Sequence, residues 1–268
     1  MTKLQELTKL GQAVWIDYIQ RSFTRSGKLR DMVEKGVRGV TSNPTIFDKA
    51  IAGSEDYDSD IRSLAEKGAS TKEIYESIVI QDIREAAEVL KPIYDETYGH
   101  DGFVSLEVNP TLAHDTQGTI SEVKRLFADV NRPNIMIKIP ATPAGLPAIE
   151  EAIASGINVN VTLLFSLTQY EAVANAYISG LERCHALGNS IDKIASVASF
   201  FVSRVDTAVD AELQKIGRDD LLGKIAIDNA RLAYVRFGEI FSGDRWQRLL
   251  RSNARVQRPL WASTGTKN

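Results

Sequence analysis

Apolar and polar positions along this chain switch repeatedly between a helical period and a strand period. Leu4, Leu7 and Leu10 recur at helical spacing before Gly11. Residues 13–19, Ala-Val-Trp-Ile-Asp-Tyr-Ile, are then a strand pattern with one carboxylate inside it. Residues 24–35 return to helical spacing, with Leu29, Met32 and Val33 on the inner stripe and Gly36 as the stop. Gly39-Val40-Thr41-Ser42-Asn43-Pro44 is a short strand ended by proline. The interval up to Phe103 predicts two helices, one after the polar turn at 53–56 and one capped by Ser70 and running to about Tyr98. A third strand at 103–108 holds Glu107 and ends at Asn109-Pro110. The spacing predicts a helix over 119–130, a strand over 135–140, a helix over 145–155 and a fifth strand over 157–165. Ser166 caps a helix to about Leu187, and a sixth strand covers 194–202. Helices broken near Gly217 and Gly243 follow, and residues 259–264 are a seventh strand.

Strands that alternate with helices imply βαβ units and a parallel sheet. Seven repetitions without a glycine-rich dinucleotide fingerprint favour an α/β fold of the (β/α)8 TIM-barrel type, with seven strands identifiable, over a doubly wound sheet. No linker or low-complexity segment interrupts the pattern, so a single domain over residues 1–268 is expected.

The strands also share a parity. Ile135, Ile137 and Ile139 occupy one face of the fourth strand, and Met136 and Lys138 the other. Asp17 shares a face with Trp15, Glu107 with Ser105, and Thr41 with Asn43. Asn158, Asn160 and Thr162 alternate with Val159, Val161 and Leu163, Ser199 lies with Val197 and Phe201, and Ser263 with Trp261. Each strand thus offers one apolar face and one face with a polar or ionisable group towards its C-terminal end, where barrel enzymes build their sites. Individually these residues have ordinary structural explanations. Lys138 can snorkel to water at a strand end, Asp17 can cap the following turn, and Glu107 can sit on an exposed edge. Asn43 before Pro44 suits turn chemistry, and Asn160 and Thr162 can be satisfied core groups. Their common parity favours a shared cavity, in which a lysine amine is a Schiff-base nucleophile and a carboxylate moves protons.

Composition narrows the function classes. The chain has 268 residues, 43% hydrophobic and 25% charged, which suits a soluble globular protein with a sizeable core. A net charge of −3 gives no reason to expect nucleic acid or an anionic membrane as partner. Cys184 is the single cysteine, consistent with a reducing cytoplasmic setting. The N-terminus lacks the apolar run of a signal peptide, and no apolar run reaches membrane-spanning length. The three histidines, His100, His114 and His185, have no metal-ligand spacing, so no metal is expected. Arg245, Arg248, Arg251, Arg255 and Arg258 suggest a basic helical stripe, either a solvated face or an aid to phosphate capture.

Six blocks together resemble the transaldolase family of class I Schiff-base aldolases: Val-Trp-Ile-Asp-Tyr-Ile (14–19), Gly-Val-Thr-Ser-Asn-Pro-Thr-Ile-Phe (39–47), Val-Ser-Leu-Glu-Val (104–108), Ile-Lys-Ile-Pro-Ala-Thr (137–142), Asn-Val-Asn-Val-Thr-Leu-Leu-Phe-Ser (158–166) and Ser-Phe-Phe-Val-Ser-Arg-Val-Asp (199–206). The resemblance spans nearly the whole chain. It implies a transferase of the pentose phosphate pathway that moves a dihydroxyacetone unit from sedoheptulose 7-phosphate to glyceraldehyde 3-phosphate. Lys138 would form the Schiff base and Asp17 would deprotonate the scissile hydroxyl, with Glu107 and Thr162 positioning the catalytic water. Asn43 and Asn160 would hold the dihydroxyacetone unit, and Ser199 and Arg204 the substrate hydroxyls and phosphate. Ser263 and Lys267 look like further phosphate-side contacts, although many relatives use arginine at the latter. No cofactor is implied, and the expected partners are small sugar phosphates; oligomeric state is not legible. Two rivals are a related aldolase of the fructose 6-phosphate type, which releases free dihydroxyacetone, and an impaired barrel that only binds sugar phosphates. Relatives that it resembles continue past Thr-Gly-Thr-Lys-Asn through an eighth strand, so a barrel incomplete at its C-terminal side is also expected, with open edges at its first and seventh strands.

Overall fold

The computed structural model describes residues 1–265, so Lys267 lies outside the described residues. Two compact units are distinguished, one made of Met1–Val108 and Glu122–Ile137, the other of Asn109–Ser121 with Lys138 onward. Among the described residues seven strands occur, in the sheet order β1-β2-β3-β4-β5-β6-β7. Helices separate them in sequence, as expected for the (β/α) barrel class.

In the first unit β1 (Val14–Asp17), β2 (Val37–Thr41) and β3 (Phe103–Glu107) pair in parallel. Val37, Val40, Phe103 and Val104 are buried, as are Ile83, Ala86, Ala87 and Leu90 of helix α6 (Thr71–Glu96). Parallel strands covered by helices read as such apolar runs. Helix α6 starts at a capping box in which the Ser70 hydroxyl accepts from the Glu73 N–H while the Glu73 carboxylate accepts from the Ser70 N–H. The helix expected over 24–35 is two helices in the structure. These are α2 (Arg21–Arg25) and α3 (Lys28–Lys35), parted by Gly27 in the left-handed region at φ 87°. The stretch between β2 and the polar turn is also helical: Asn43 caps α4 (Pro44–Ala52), whose first position is proline. Helix α5 (Asp58–Glu66) follows the turn.

A buried ionic cluster, unmarked in the sequence pattern, ties this unit together. Arg21, 2% exposed, donates from Nε to Asp82 Oδ1 at 2.9 Å and from Nη1 to Asp60. The Tyr57 hydroxyl donates to Asp82 Oδ2 at 3.0 Å and accepts from the Arg21 N–H at 3.0 Å. Burial raises the Asp82 carboxyl above the usual range, with Arg21 opposing it. It also pushes the Tyr57 phenol well up, which keeps it a donor.

In the second unit β5 (Val159–Leu164), β6 (Ser196–Phe201) and β7 (Gln257–Ala262) pair in parallel. They carry helices α8 (Gly145–Ala154), α9 (Leu167–Ala186), α10 (Ser203–Lys215), α11 (Ile225–Ile240) and α12 (Asp244–Leu250). Two elements, α7 (Thr116–Val130) and β4 (Ile135–Pro140), contribute residues to both units. The arginine stripe does not form. Helix α12 ends at Leu250, Arg258 belongs to β7, and Arg245 is engaged by Glu182 at 2.6 and 2.8 Å and by Ser179 at 2.8 Å. Among the described residues no helix is long and apolar enough to cross a membrane.

Candidate functional site

The register of the first three strands puts the expected polar residues on one side. Asp17 pairs with Thr41 and Thr41 with Ser105, while one step back Trp15 pairs with Gly39 and Gly39 with Phe103. Glu107 shares the Ser105 face by strand alternation. Gly39 is required by its neighbour, since a Cβ there would lie 2.3 Å from the Trp15 ring. The indole therefore covers the glycine and stacks towards Phe103, with ring centres 6.5 Å apart. Beyond this aromatic layer stands Asp17, exposed at the end of β1, whose Oδ1 accepts from the Thr41 hydroxyl at 2.6 Å. Asn43 opens the loop after β2, and its Oδ1 accepts from the Ile46 N–H at 3.0 Å. This bond commits the oxygen to the helix cap and leaves the amide N–H groups for other partners. Glu107 ends β3 half-buried. Burial first, then the charges of Asp48 and Glu107, raise the Tyr75 phenol above its ordinary value.

Every residue of β4 is buried, and Lys138, the first residue of its second-unit part, is 6% exposed. The strand-end reading, with the ammonium extended into bulk water, does not hold. Asn160 is fully buried, and its Oδ1 accepts from the Ser199 hydroxyl at 2.7 Å, so these two expected site residues are direct partners. Thr162 is 2% exposed, and its carbonyl accepts from the Ala141 N–H at 2.9 Å, just beyond β4.

The expected alternation of β5 fails at Thr162. The β5–β6 register slips between Val161 and Leu164, with Leu163 in the left-handed region at φ 64°. After the slip Leu164, not Leu163, pairs with Phe200. Leu163 is only half-buried while Leu164 is fully buried. Bulges of this kind re-aim a side chain next to active sites.

The expected face of β7 is corrected as well. Trp261 pairs with Phe200 and Leu260 with Ser199, so the residues on the Ser199 side of β7 are Leu260 and Ala262, and Trp261 is on the other. The strand begins two residues earlier than its apolar pattern suggests, at Gln257. Ser263 lies past its end at φ 53°, and its hydroxyl is 2.8 Å from that of Ser203. Its left-handed backbone past the strand end, not strand parity, sets its direction. The Ser203 N–H also donates to the Ser263 carbonyl at 2.9 Å, joining the start of α10 to the end of β7. Arg204, the next residue, is exposed, with its guanidinium 4.7 Å from the centre of the Phe201 ring.

Three residues that bond to these groups or beside them are not singled out by the strand parity. Thr41 and Ser203 do not stand out by type, and Gln169 is visible only through Ser166-x-x-Gln169, which matches a capping box. Among the described residues no cluster of three or more His, Cys, Asp and Glu side chains could hold a metal ion. The first unit thus offers a carboxylate held by a hydroxyl, and a second carboxylate two residues from a buried serine. The second offers a buried amine, an amide–hydroxyl pair and a re-aimed threonine. These are the groups that imine formation and proton transfer require.

Comparison with known proteins agrees. The family model described as Transaldolase/Fructose-6-phosphate aldolase matches residues 14–268. The protein named Transaldolase from Thermobifida fusca is 54% identical over 269 residues, which cover 99% of this chain and 73% of that protein. Proteins of the same name from Trichodesmium erythraeum and a Parafrankia species are 50% and 52% identical, again over 99% of this chain and 73% of theirs. A buried lysine strand, the shared parity of β1 to β3 and these matches lead to one conclusion: the chain belongs to the transaldolase/fructose-6-phosphate aldolase family.

Proposed function

We propose that this protein is a transaldolase that transfers a dihydroxyacetone unit from sedoheptulose 7-phosphate to glyceraldehyde 3-phosphate, in carbohydrate metabolism through the pentose phosphate pathway. The observation that carries the reading is Lys138, an amine 6% exposed in the middle of a fully buried strand of isoleucines. The Lys138 amine adds to the donor's ketone carbon, and the carbinolamine loses water to give an imine. Glu107 and Thr162 position that water for departure and for the later hydrolysis. Asp17 takes the proton from the hydroxyl on the far side of the scissile bond; the C–C bond then breaks, its electron pair flows into the imine, and an aldehyde leaves. The resulting enamine attacks the acceptor aldehyde, whose oxygen recovers the proton, and hydrolysis frees the lysine. The imine is the electron sink, so this chemistry calls for no cofactor.

Asn43 and Asn160 hold the three-carbon unit. Asn43 presents its amide N–H groups to it, with its oxygen turned to the cap of α4. Ser199, Arg204 and Ser263 take the remaining hydroxyls and the phosphate, and Lys267 is assigned with them on the resemblance alone. The setting is the cytoplasm, and the partners are small sugar phosphates.

Borohydride reduction in the presence of fructose 6-phosphate tests the proposal. A three-carbon adduct should appear on the peptide containing Lys138. An adduct on another lysine, or none, overturns the assignment, and release of free dihydroxyacetone without transfer would make the protein an aldolase instead.

A further inference from the structure

Gln169 has no task in this chemistry, yet its carboxamide is fully engaged at the ends of two strands that do. Its Nε2 donates to the Ala141 carbonyl at 2.8 Å and to the Leu163 carbonyl at 3.3 Å. Its Oε1 accepts from the Phe165 N–H at 3.0 Å. The bland account is a helix cap. Half of a capping box is present, since the Gln169 N–H donates to the Ser166 hydroxyl at 3.2 Å. In such a box, however, the third-position side chain returns to the N–H of the capping residue itself. Here it passes over Ser166 to Phe165, and its amide nitrogen reaches out of the helix to Ala141.

The groups it meets are the carbonyl of Leu163 in the β5 bulge, the N–H of Phe165 just past β5 and the carbonyl of Ala141 just past β4. Leu163 adopts a left-handed conformation seldom seen for leucine, so the surroundings must hold it there. Gln169 binds the carbonyl of that residue and the N–H two residues later. Ala141 is clasped at both ends: its N–H donates to the Thr162 carbonyl at 2.9 Å, and its carbonyl accepts from Gln169. Ala141 is three residues beyond Lys138, and Thr162 immediately precedes the strained leucine.

We infer that Gln169 is a positioning residue for the imine step: one carboxamide fixes the bulged end of β5 against the end of β4, and thereby sets the Thr162 hydroxyl relative to Lys138. The inference rests on the roles proposed above for Lys138 and Thr162. A glutamine is suited to the task because it supplies two donors and an acceptor on one rigid group.

The test compares single-turnover formation of the borohydride-trapped Lys138 adduct from fructose 6-phosphate in four proteins: wild type, Gln169→Met, Thr162→Ala and the double variant. Gln169→Met keeps the length of the side chain without its polar group, and should slow adduct formation about 10- to 100-fold, the scale of a small misplacement of a catalytic group. In the Thr162→Ala background the same substitution should add less than about twofold, because residues acting through one another are non-additive. A fifth protein, Gln169→Glu, guards against a folding defect. Its carboxylate keeps the acceptor and loses the donors. Its deficit relative to wild type should therefore narrow as pH falls towards about 4.3, the ordinary glutamate value, where the acid regains one donor. Losses that multiply in the double variant, a wild-type rate in Gln169→Met, or a pH-independent deficit in Gln169→Glu would each overturn the inference while leaving Lys138 in place. No adduct on Lys138 in wild type would overturn the proposed function, and this inference with it.

Discussion

The Thr41 hydroxyl donates to Asp17 Oδ1 across the paired ends of β1 and β2, at 2.6 Å. Bonds from a hydroxyl to a carboxylate are short and strong, and this one fixes the orientation of the carboxylate proposed above as the proton acceptor. Thr41→Val preserves the shape of the side chain and deletes the donor. C–C cleavage should slow about tenfold, equivalent to about 1.4 kcal/mol, with imine formation at Lys138 little changed and recovery in Thr41→Ser. Rapid-quench measurement of aldehyde release checks this; undiminished cleavage in Thr41→Val would remove Thr41 from the site.

The two carboxylates of the first unit should separate by step. Asp17→Ala is expected to leave imine formation largely intact and to depress cleavage by roughly 100-fold or more, the range of a lost general base. Glu107→Ala should depress imine formation itself. Trapping with borohydride at a series of quench times distinguishes them, and equal trapping rates in both variants would contradict the division.

Gly39→Ala should destabilise the fold by about 1–3 kcal/mol, as overpacking does, because its methyl would sit 2.3 Å from the Trp15 ring. In a Trp15→Leu background the added cost should largely vanish. Urea unfolding of the four proteins gives the coupling, and additive losses would show that the indole is not the obstacle.

Arg245 forms a two-pronged pair with Glu182 on α9, and this bond first, opposed by partial burial, holds the Glu182 carboxyl below its usual range. A depressed folded pKa contributes stability that is complete above the unfolded value and lost as pH falls through the folded one. The side chains are each 38% exposed, so Glu182→Gln should cost under about 1 kcal/mol at neutral pH. The difference from wild type should shrink steadily as the pH drops below the ordinary glutamate value. Denaturant melts at several acidic pH values would expose a pair of no consequence as a gap that does not change.

Strand content was legible because parallel strands under helices are nearly continuous apolar runs, and β4 follows its pattern residue for residue from Ile135 to Pro140. The faces of β1, β2 and β3 were legible for the same reason, since side-chain alternation holds as long as the ladder is regular. It failed in β5, where the backbone departs from that rule, and in β7, whose regular ladder puts Trp261 on the face away from Ser199. Nothing in Val-Thr-Leu-Leu announces that Leu163 takes a positive φ. The apolar pattern near β7 misses its start at Gln257, and of Trp261 and Ser263, which suggest its parity, the second lies beyond the strand. The Arg21–Asp82 pair joins residues 61 apart and the Thr41–Asp17 pair residues 24 apart, and no local periodicity encodes such partners. Helix α4 was missed because Asn43-Pro44 reads equally as a turn or as a cap followed by a first-turn proline.

The slip in β5 also limits how this segment can vary. Substitutions within 159–164 keep every remaining side chain pointing where it did. Two residues, Thr162 and Leu163, stand opposite Ser199 alone, so deleting either would restore a regular ladder and erase the bulge that re-aims Thr162. Leu164 would keep its place opposite Phe200, but the left-handed residue whose carbonyl accepts from Gln169 would be gone. The segment can therefore drift in composition but not in length, and variants shortened by one residue between Asn160 and Leu164 should be rarer than any point change at the same positions.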